Sequence, residues 1–115
     1  MITNESMDQI FQALSHETRR EILDILRNAP GQPVGKLAAH FDTSRIAVMN
    51  HLCVLEAAGL VISEREGRTR RLYLNIVPIQ MIYDRWTDEF SGHWASKLTA
   101  IKYAAEQVAK REEQK

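Results

Sequence analysis

Four side chains between positions 45 and 50 combine the residue types and the spacing that recognition of DNA base pairs requires. Arg45 could make the bidentate contact with guanine, and Asn50, one helical turn later, could make the paired contact with adenine. Ile46 and Met49 are apolar and could contact a thymine methyl group; the alternative is that both pack under a neighbouring helix or terminus. The predicted DNA-contacting residues of this segment are Ser44, Arg45, Ile46, Met49 and Asn50.

A second basic group follows, with four arginines inside seven residues. These are Arg65, Arg68, Arg70 and Arg71. They lie within or directly beside the turn sequence EGRT, which predicts a β-hairpin. At the tip, Arg68 could enter a minor groove or contact a phosphate, while its neighbours neutralise backbone charge. Two glutamates in the same segment would dilute this attraction, and alternating Glu and Arg is also typical of a solvated, protected strand edge. We predict a DNA-binding hairpin, with the protected edge as the alternative.

Residues that would support catalysis or metal binding are sparse. The sequence has no glycine-rich phosphate loop, no GxSxG and no HExxH, so we predict no enzymatic activity and no cofactor. A mixed carboxylate and imidazole site could form with a second chain, but each chain would supply only one histidine to it, which makes the site weak, and no metal ligand is predicted. The residues of that site would be Asp84, Asp88, Glu89 and His93. A redox switch at Cys53 is a further alternative, although no basic neighbour within one turn would activate the thiol.

Length, charge and cysteine count restrict the class of protein further. The chain has 115 residues, 15 basic and 15 acidic side chains and one cysteine, which predicts a single domain over residues 1–115 and excludes a disulfide framework. The cysteine usage fits a reducing compartment, the cytoplasm, and no apolar run is long enough for a signal peptide or a membrane span. Because the net charge is zero, only a locally basic face could attract DNA.

Apolar periodicity predicts four helices before the hairpin. The apolar edge of the first helix begins at Met7, and this helix ends near Ser15. We expect Ser15 to cap the second helix. Pro33 is expected in the first turn of a brief third helix, and the fourth, over about residues 44–58, is closed by Gly59. The inner face of the fourth helix is predicted to be Ala47, Val48, Leu52 and Leu55. This order of elements is the winged helix-turn-helix arrangement, a mainly α fold with a small β-hairpin.

A long apolar stripe then predicts one helix over about residues 78–110. At 1.5 Å per residue this helix would be roughly 45–50 Å long, against an expected radius of gyration of about 13 Å for the chain. A second copy could bury such a stripe, so we predict a homodimer with N- and C-terminal dimerisation helices. Alternatively, the helix kinks or splits at Ser91-Gly92, it folds back as a hairpin at Gly92, or its aromatic residues line a small-molecule pocket. The predicted interface residues are Met7, Phe11, Ile79, Ile82, Tyr83, Trp86, Phe90, Trp94, Leu98 and Ile101.

Three segments of the chain have a distinctive combined pattern. They are ALSHETRREILDIL, KLAAHFDTSRIAVMNHLCVLEAAGLV and EREGRTRRLYLN. Over residues 7–77 the chain thereby resembles the ArsR/SmtB family of bacterial winged-helix transcriptional repressors. The resemblance implies a dimeric DNA-binding repressor, with a recognition helix at about residues 44–58 and a wing at about residues 60–76. We predict that the protein is a homodimeric repressor on double-stranded operator DNA arranged as an inverted repeat.

The chain departs from the metal sensors of that family. A thiolate sensor motif like ELCVCDL would place its cysteines at the positions of Pro33 and Gly35, and only scattered ligand types remain in the last helix. The resemblance is therefore to a subgroup without an obvious metal-sensing site, and the effector is unknown. Two other functions stay open: a winged-helix module that docks a protein through Ile46, Met49 and Cys53, and a metal- or redox-responsive repressor.

Overall fold

The computed structural model describes residues 2–87 and 91–113, the side chain of Ser91 excepted. The chain forms two compact units, Met1–Ile82 and Tyr83–Lys115. The elements are α1 (Asn4–Leu14), α2 (Glu17–Asn28), β1 (Gln32–Pro33), α3 (Val34–Ala38), α4 (Arg45–Ala57), β2 (Val61–Glu66), β3 (Thr69–Leu74), α5 (Val77–Trp86) and α6 (Ser91–Glu113). The predicted mainly α fold with a hairpin is confirmed.

Apolar side chains from α1 to α4 and from the sheet meet in the core of the first unit. Fully buried members include Ile10 of α1, Ile22 and Leu26 of α2, and Leu37 of α3. From the C-terminal side, Leu72 of β3 closes the same cluster. Burying a side chain of this size stabilises a fold by about 1.5–3 kcal/mol, so this cluster determines how the helices and the hairpin are placed.

The corner between α1 and α2 is built differently from our prediction. Ser15 does not cap α2; it ends α1, and its hydroxyl donates to the Gln12 carbonyl at 2.7 Å. The residue that caps α2 is His16, whose Nδ1 accepts a hydrogen bond from the Thr18 amide at 3.1 Å. Side chains of α2 also satisfy the free carbonyls at the end of α1, since Arg19 Nε donates to Ala13 O at 2.9 Å.

The sheet has three strands, in the order β1-β3-β2, where the sequence predicted only a hairpin. The extra strand holds Pro33, which was expected in a helical turn but has extended backbone angles of φ −66° and ψ 150°. It pairs antiparallel with β3, opposite Arg71. Proline lacks a donor and is tolerated on such a short edge strand.

The predicted hairpin is confirmed, and its turn consists of two residues. Glu66 pairs with Thr69 at the end of the ladder, which leaves Gly67 and Arg68 as the turn. Gly67 has φ +61°, and a type II′ hairpin turn needs glycine at this first central position. Arg68 therefore lies at the exposed tip of the hairpin, which we call the wing (residues 61–74).

The C-terminal part forms two helices instead of the single predicted helix. α5 ends at Trp86, and the hydroxyl of Thr87 donates to the Tyr83 carbonyl at 2.6 Å. α6 begins at Ser91, the position at which a split of the helix was the alternative prediction, and Gly92 lies in its first turn. By itself α6, with 23 residues, is about 35 Å long.

No helix within the described ranges is both long enough and apolar enough to cross a membrane.

Candidate nucleic-acid interface

α4 has one buried face and one exposed face, as its sequence predicted. Val48, Leu52 and Leu55 are at most 1% exposed and belong to the core. Ala47, which was expected beside them, is half-buried. The opposite face carries the exposed residues Arg45, Ile46, Met49, Asn50 and Cys53. Because core packing holds the inner stripe, the exposed face is presented on a rigid helix.

The side chain of Ser44 begins this helix. Its hydroxyl accepts a hydrogen bond from the Ala47 amide at 3.1 Å, which satisfies one of the donors left free at a helix start. Its backbone is extended, with ψ 152°, as expected for a capping residue. The hydroxyl is therefore engaged in positioning the first turn, while a contact between Ser44 and DNA stays a prediction.

The exposed face of α4 divides into two rows. Arg45 and Met49 line a cavity of about 320 Å³ between α4, the start of α3 and the wing. Ile46 and Asn50 form the second row, which does not line the cavity, and Ile46 is 73% exposed. We call the space the wing cavity; it is lined by Pro33, Val34, Gly35, Arg45, Met49, Arg68, Thr69 and Arg70. The predicted base-contacting residues thus have two different surroundings.

The four wing arginines also divide into two pairs. Arg70 forms an ion pair with Glu56 of α4. Arg71 donates to Glu66 Oε2 at 2.7 Å and to the Gly31 carbonyl at 3.0 Å, so it connects the wing to the loop before β1. The other two, Arg65 and Arg68, are exposed, and no carboxylate of residues 2–87 or 91–113 pairs with them. Arg65 and Arg68 therefore retain free charge for an external anion.

A histidine pair, which the sequence did not predict, connects α4 to the α1–α2 corner. The rings of His16 and His51 lie with their centroids 4.5 Å apart. Burial lowers the pKa of His51, and positive charge at His16 and at Arg19 lowers it further. The two histidines are far apart in sequence and on different helices, so no local spacing could have indicated their contact.

Most residues of the predicted dimer interface are exposed on this chain. In the first unit Phe11 is 46% and Ile79 39% exposed, while Ile82 packs against the core. Met7 differs from these residues, since it is buried at 7% exposure in its own chain, and its place in a dimer interface stays a prediction. Phe90 lies outside the described residues. In the second unit the exposed members are Tyr83, Trp86, Trp94, Leu98 and Ile101.

The structure locates the alternative metal site only in part and the alternative redox site, Cys53, in full. Asp88 and Glu89 of the weak metal-site hypothesis lie outside the described residues. Among the residues that the structure does describe, no group of three or more His, Cys, Asp and Glu side chains is arranged to hold a metal ion. Cys53 is a free, exposed thiol on the outer face of α4.

Sequence comparison identifies the kind of protein that this chain resembles. A family model described as a helix-turn-helix domain matches residues 14–64, from the end of α1 to the middle of β2. The HTH-type transcriptional regulator Rv2034 of Mycobacterium tuberculosis is 39% identical over 98 residues, which are 81% of this chain and 90% of that protein. The transcriptional repressor SdpR of Bacillus subtilis is 34% identical over 74 residues, 64% of this chain and 81% of the repressor.

Solved structures agree with the sequence comparison. An ArsR-like transcriptional regulator from Rhodococcus sp. RHA1 superposes with a TM-score of 0.68 at 35% sequence identity. The match covers 90% of this chain and 93% of that structure. The similarity therefore extends well beyond the helix-turn-helix segment alone.

Proposed function

Because this chain belongs to the ArsR-type winged helix-turn-helix transcriptional regulators, which bind DNA, we propose that it is a homodimeric repressor of an inverted-repeat operator. The observation that carries the proposal is the exposed row of Ile46 and Asn50 on a core-anchored helix beside the arginine-bearing wing. A helix about 10–12 Å in diameter fits the major groove, which is about 12 Å wide.

In this proposal the two rows of α4 have different tasks. Asn50 pairs with adenine and Ile46 contacts a thymine methyl group, because these side chains project outside the wing cavity. Arg65 and Arg68 contact the DNA backbone, since their charges are not neutralised by any described carboxylate. Arg70 and Arg71 hold the wing in place, and Ser44 keeps the first turn of α4 formed.

The proposed dimer uses the apolar surfaces of α1, α5 and α6. On α6, Trp94, Leu98, Ile101 and Val108 recur at helical spacing, and each is more than half exposed. On α5, Tyr83 and Trp86 are exposed to a similar degree. Burial of apolar area on this scale supports association of two copies, and a two-fold pair of α4 helices would match half-sites about 34 Å apart.

Occupation of a promoter by such a dimer would exclude the polymerase. SdpR, a relative with 34% identity, is named as a repressor, which supports this direction of regulation. A regulator of this kind acts where the DNA is, so the proposal assigns the protein to the cytoplasm. The effector is left open, and no cofactor is needed for DNA binding in this scheme.

Selection of bound fragments from a random DNA pool tests the proposal. We expect recovery of an inverted repeat, and anisotropy titrations on it should show log K falling with log salt at a slope of about −5 to −9 if each protomer neutralises roughly three to five phosphates. Binding without sequence preference or salt dependence would contradict it. Failure to be retained on a heparin column at low salt would instead favour the protein-docking alternative.

A further inference from the structure

The wing cavity brings a cationic side chain of α4 together with two cationic side chains of the wing. Arg45 comes from the first turn of α4, Arg68 from the wing tip and Arg70 from β3. No acidic residue is among the eight that line the cavity. Three guanidinium groups in one concave space, without a carboxylate on its walls, favour an anionic ligand.

The charge of this cavity is only partly neutralised within the chain. Glu56 pairs with Arg70 from outside the lining. No carboxylate in the described ranges pairs with Arg45 or Arg68. The whole chain has zero formal charge, so the cavity is a local concentration of positive charge on a neutral protein. A bound anion would find two guanidinium groups whose hydrogen-bond donors are available.

The other walls of the cavity are apolar and open. Pro33, Val34 and Met49 provide apolar surface beside the arginines. Gly35 has no side chain, and a Cβ built there would have only Arg45 Nη1 nearby, at 3.8 Å, so the backbone can be closely approached. A nucleic-acid backbone unit has the matching chemistry, because it joins a charged phosphate to a largely apolar sugar.

We propose that the wing cavity is a phosphodiester-binding site that takes one sugar–phosphate unit of the bound DNA. The inference rests on the proposed function, and it changes the role of two residues. Arg45 from α4 and Arg68 from the wing tip both bind the phosphate, and Met49 packs against the sugar. Arg45 and Met49 are thus backbone-contacting residues, which leaves Ile46 and Asn50 as the base-reading row.

A scan with single methylphosphonate linkages tests this site, because each linkage removes the charge of one phosphate. On a fragment recovered from the random pool, we expect one linkage in each half-site whose neutralisation weakens wild-type binding by about tenfold. In Arg68→Ala, the same linkage should cost only about threefold, because one of the two guanidinium partners of that phosphate is already gone and only Arg45 remains. Arg65→Ala is the matched control; it removes a wing arginine outside the cavity and should keep the full tenfold effect at that linkage.

The outcomes separate this inference from the proposed function. Equal effects of the linkage on wild type and on Arg68→Ala would overturn the site while sequence-specific binding stands. If wild type binds no fragment at all, the proposed function fails first and the site fails with it. Displacement of DNA by micromolar thymidine 3′,5′-bisphosphate, abolished by Arg68→Ala, would also overturn the assignment, because the cavity would then belong to a free nucleotide.

Discussion

Arg70 on the second strand of the wing forms an ion pair with Glu56 of α4, so that the two elements of the candidate interface are connected to each other. Both side chains are about one-third exposed or less. The two residues are 14 positions apart in sequence, on two different elements. This ion pair is a contact outside the core that connects the wing to the recognition helix α4.

Glu56→Gln should therefore weaken DNA binding by severalfold and lower the free energy of unfolding by about 1 kcal/mol or less, as expected for a partly exposed ion pair. Anisotropy titration and urea unfolding measure the two effects. Glu64→Gln is the control, because it removes the same charge from the exposed face of β2 without breaking this ion pair. If only the loss of a negative charge mattered, both variants would bind DNA more tightly. Tighter binding by Glu56→Gln would therefore contradict the idea that Glu56 positions the wing through Arg70.

Asn50→Ala should relax preference at one base pair in each half-site, at a cost of about 1–3 kcal/mol on the selected sequence and little on other sequences. Arg65→Ala should weaken all sequences alike and make the salt slope shallower by about 1 for each protomer. Competition titrations with single-base variants of the operator distinguish the two patterns. If Asn50→Ala weakened binding equally on all sequences, Asn50 would contact the DNA backbone and not a base.

Ser44→Ala should lower the free energy of unfolding by about 1 kcal/mol, because the Ala47 amide loses its acceptor. Ser44→Asp restores an acceptor and should retain wild-type stability, yet it places a negative charge at the start of the recognition helix. We expect that variant to bind DNA much more weakly than its stability suggests. Parallel thermal unfolding and anisotropy measurements would reveal this; if Ser44→Asp bound DNA as well as wild type, the helix start would not approach the phosphates.

Leu98→Glu should shift the protein from dimer to monomer, because it places a charge in the apolar stripe of α6, where Leu98 is 61% exposed. Tyr103→Glu is the matched control, since Tyr103 is 63% exposed on the opposite face of the same helix. Sedimentation velocity at several concentrations gives the oligomeric state of each variant. Dimers of Leu98→Glu as stable as wild type would move the interface away from this stripe.

The stability of the protein should fall as the pH decreases below about 6.5, the ordinary pKa of histidine. The pKa of His51 is lowered by burial and by the charges of His16 and Arg19, so the unfolded chain takes up a proton before the folded chain does. The contribution of neutral His51 to the free energy of unfolding is fully present above about pH 6.5 and is lost as the pH falls through the pKa of His51 in the folded chain. Urea unfolding at about pH 7.5 and about pH 5.5 should show a smaller drop in His51→Gln than in wild type, and His40→Gln, an exposed histidine, should behave as wild type.

Several features of the fold and of the interface could be predicted because they depend on neighbours in sequence. Helical spacing predicted that Val48, Leu52 and Leu55 would be buried, since residues one turn apart share a face. The EGRT sequence predicted the wing turn, because Gly67 can adopt a positive φ. The resemblance over residues 7–77 predicted the family, which the comparisons confirm.

What the sequence alone determined is which face each residue occupies; what only the tertiary structure decided is what lies opposite that face. The four wing arginines are equivalent in sequence, but contacts across 14 and 40 residues engage Arg70 and Arg71 and leave the other two free. In the same way Pro33 became a strand residue only because β3 was there to pair with it, and Met7 became a buried residue. Local spacing carries no information about such distant partners, and the partners decide which charges remain available to bind DNA.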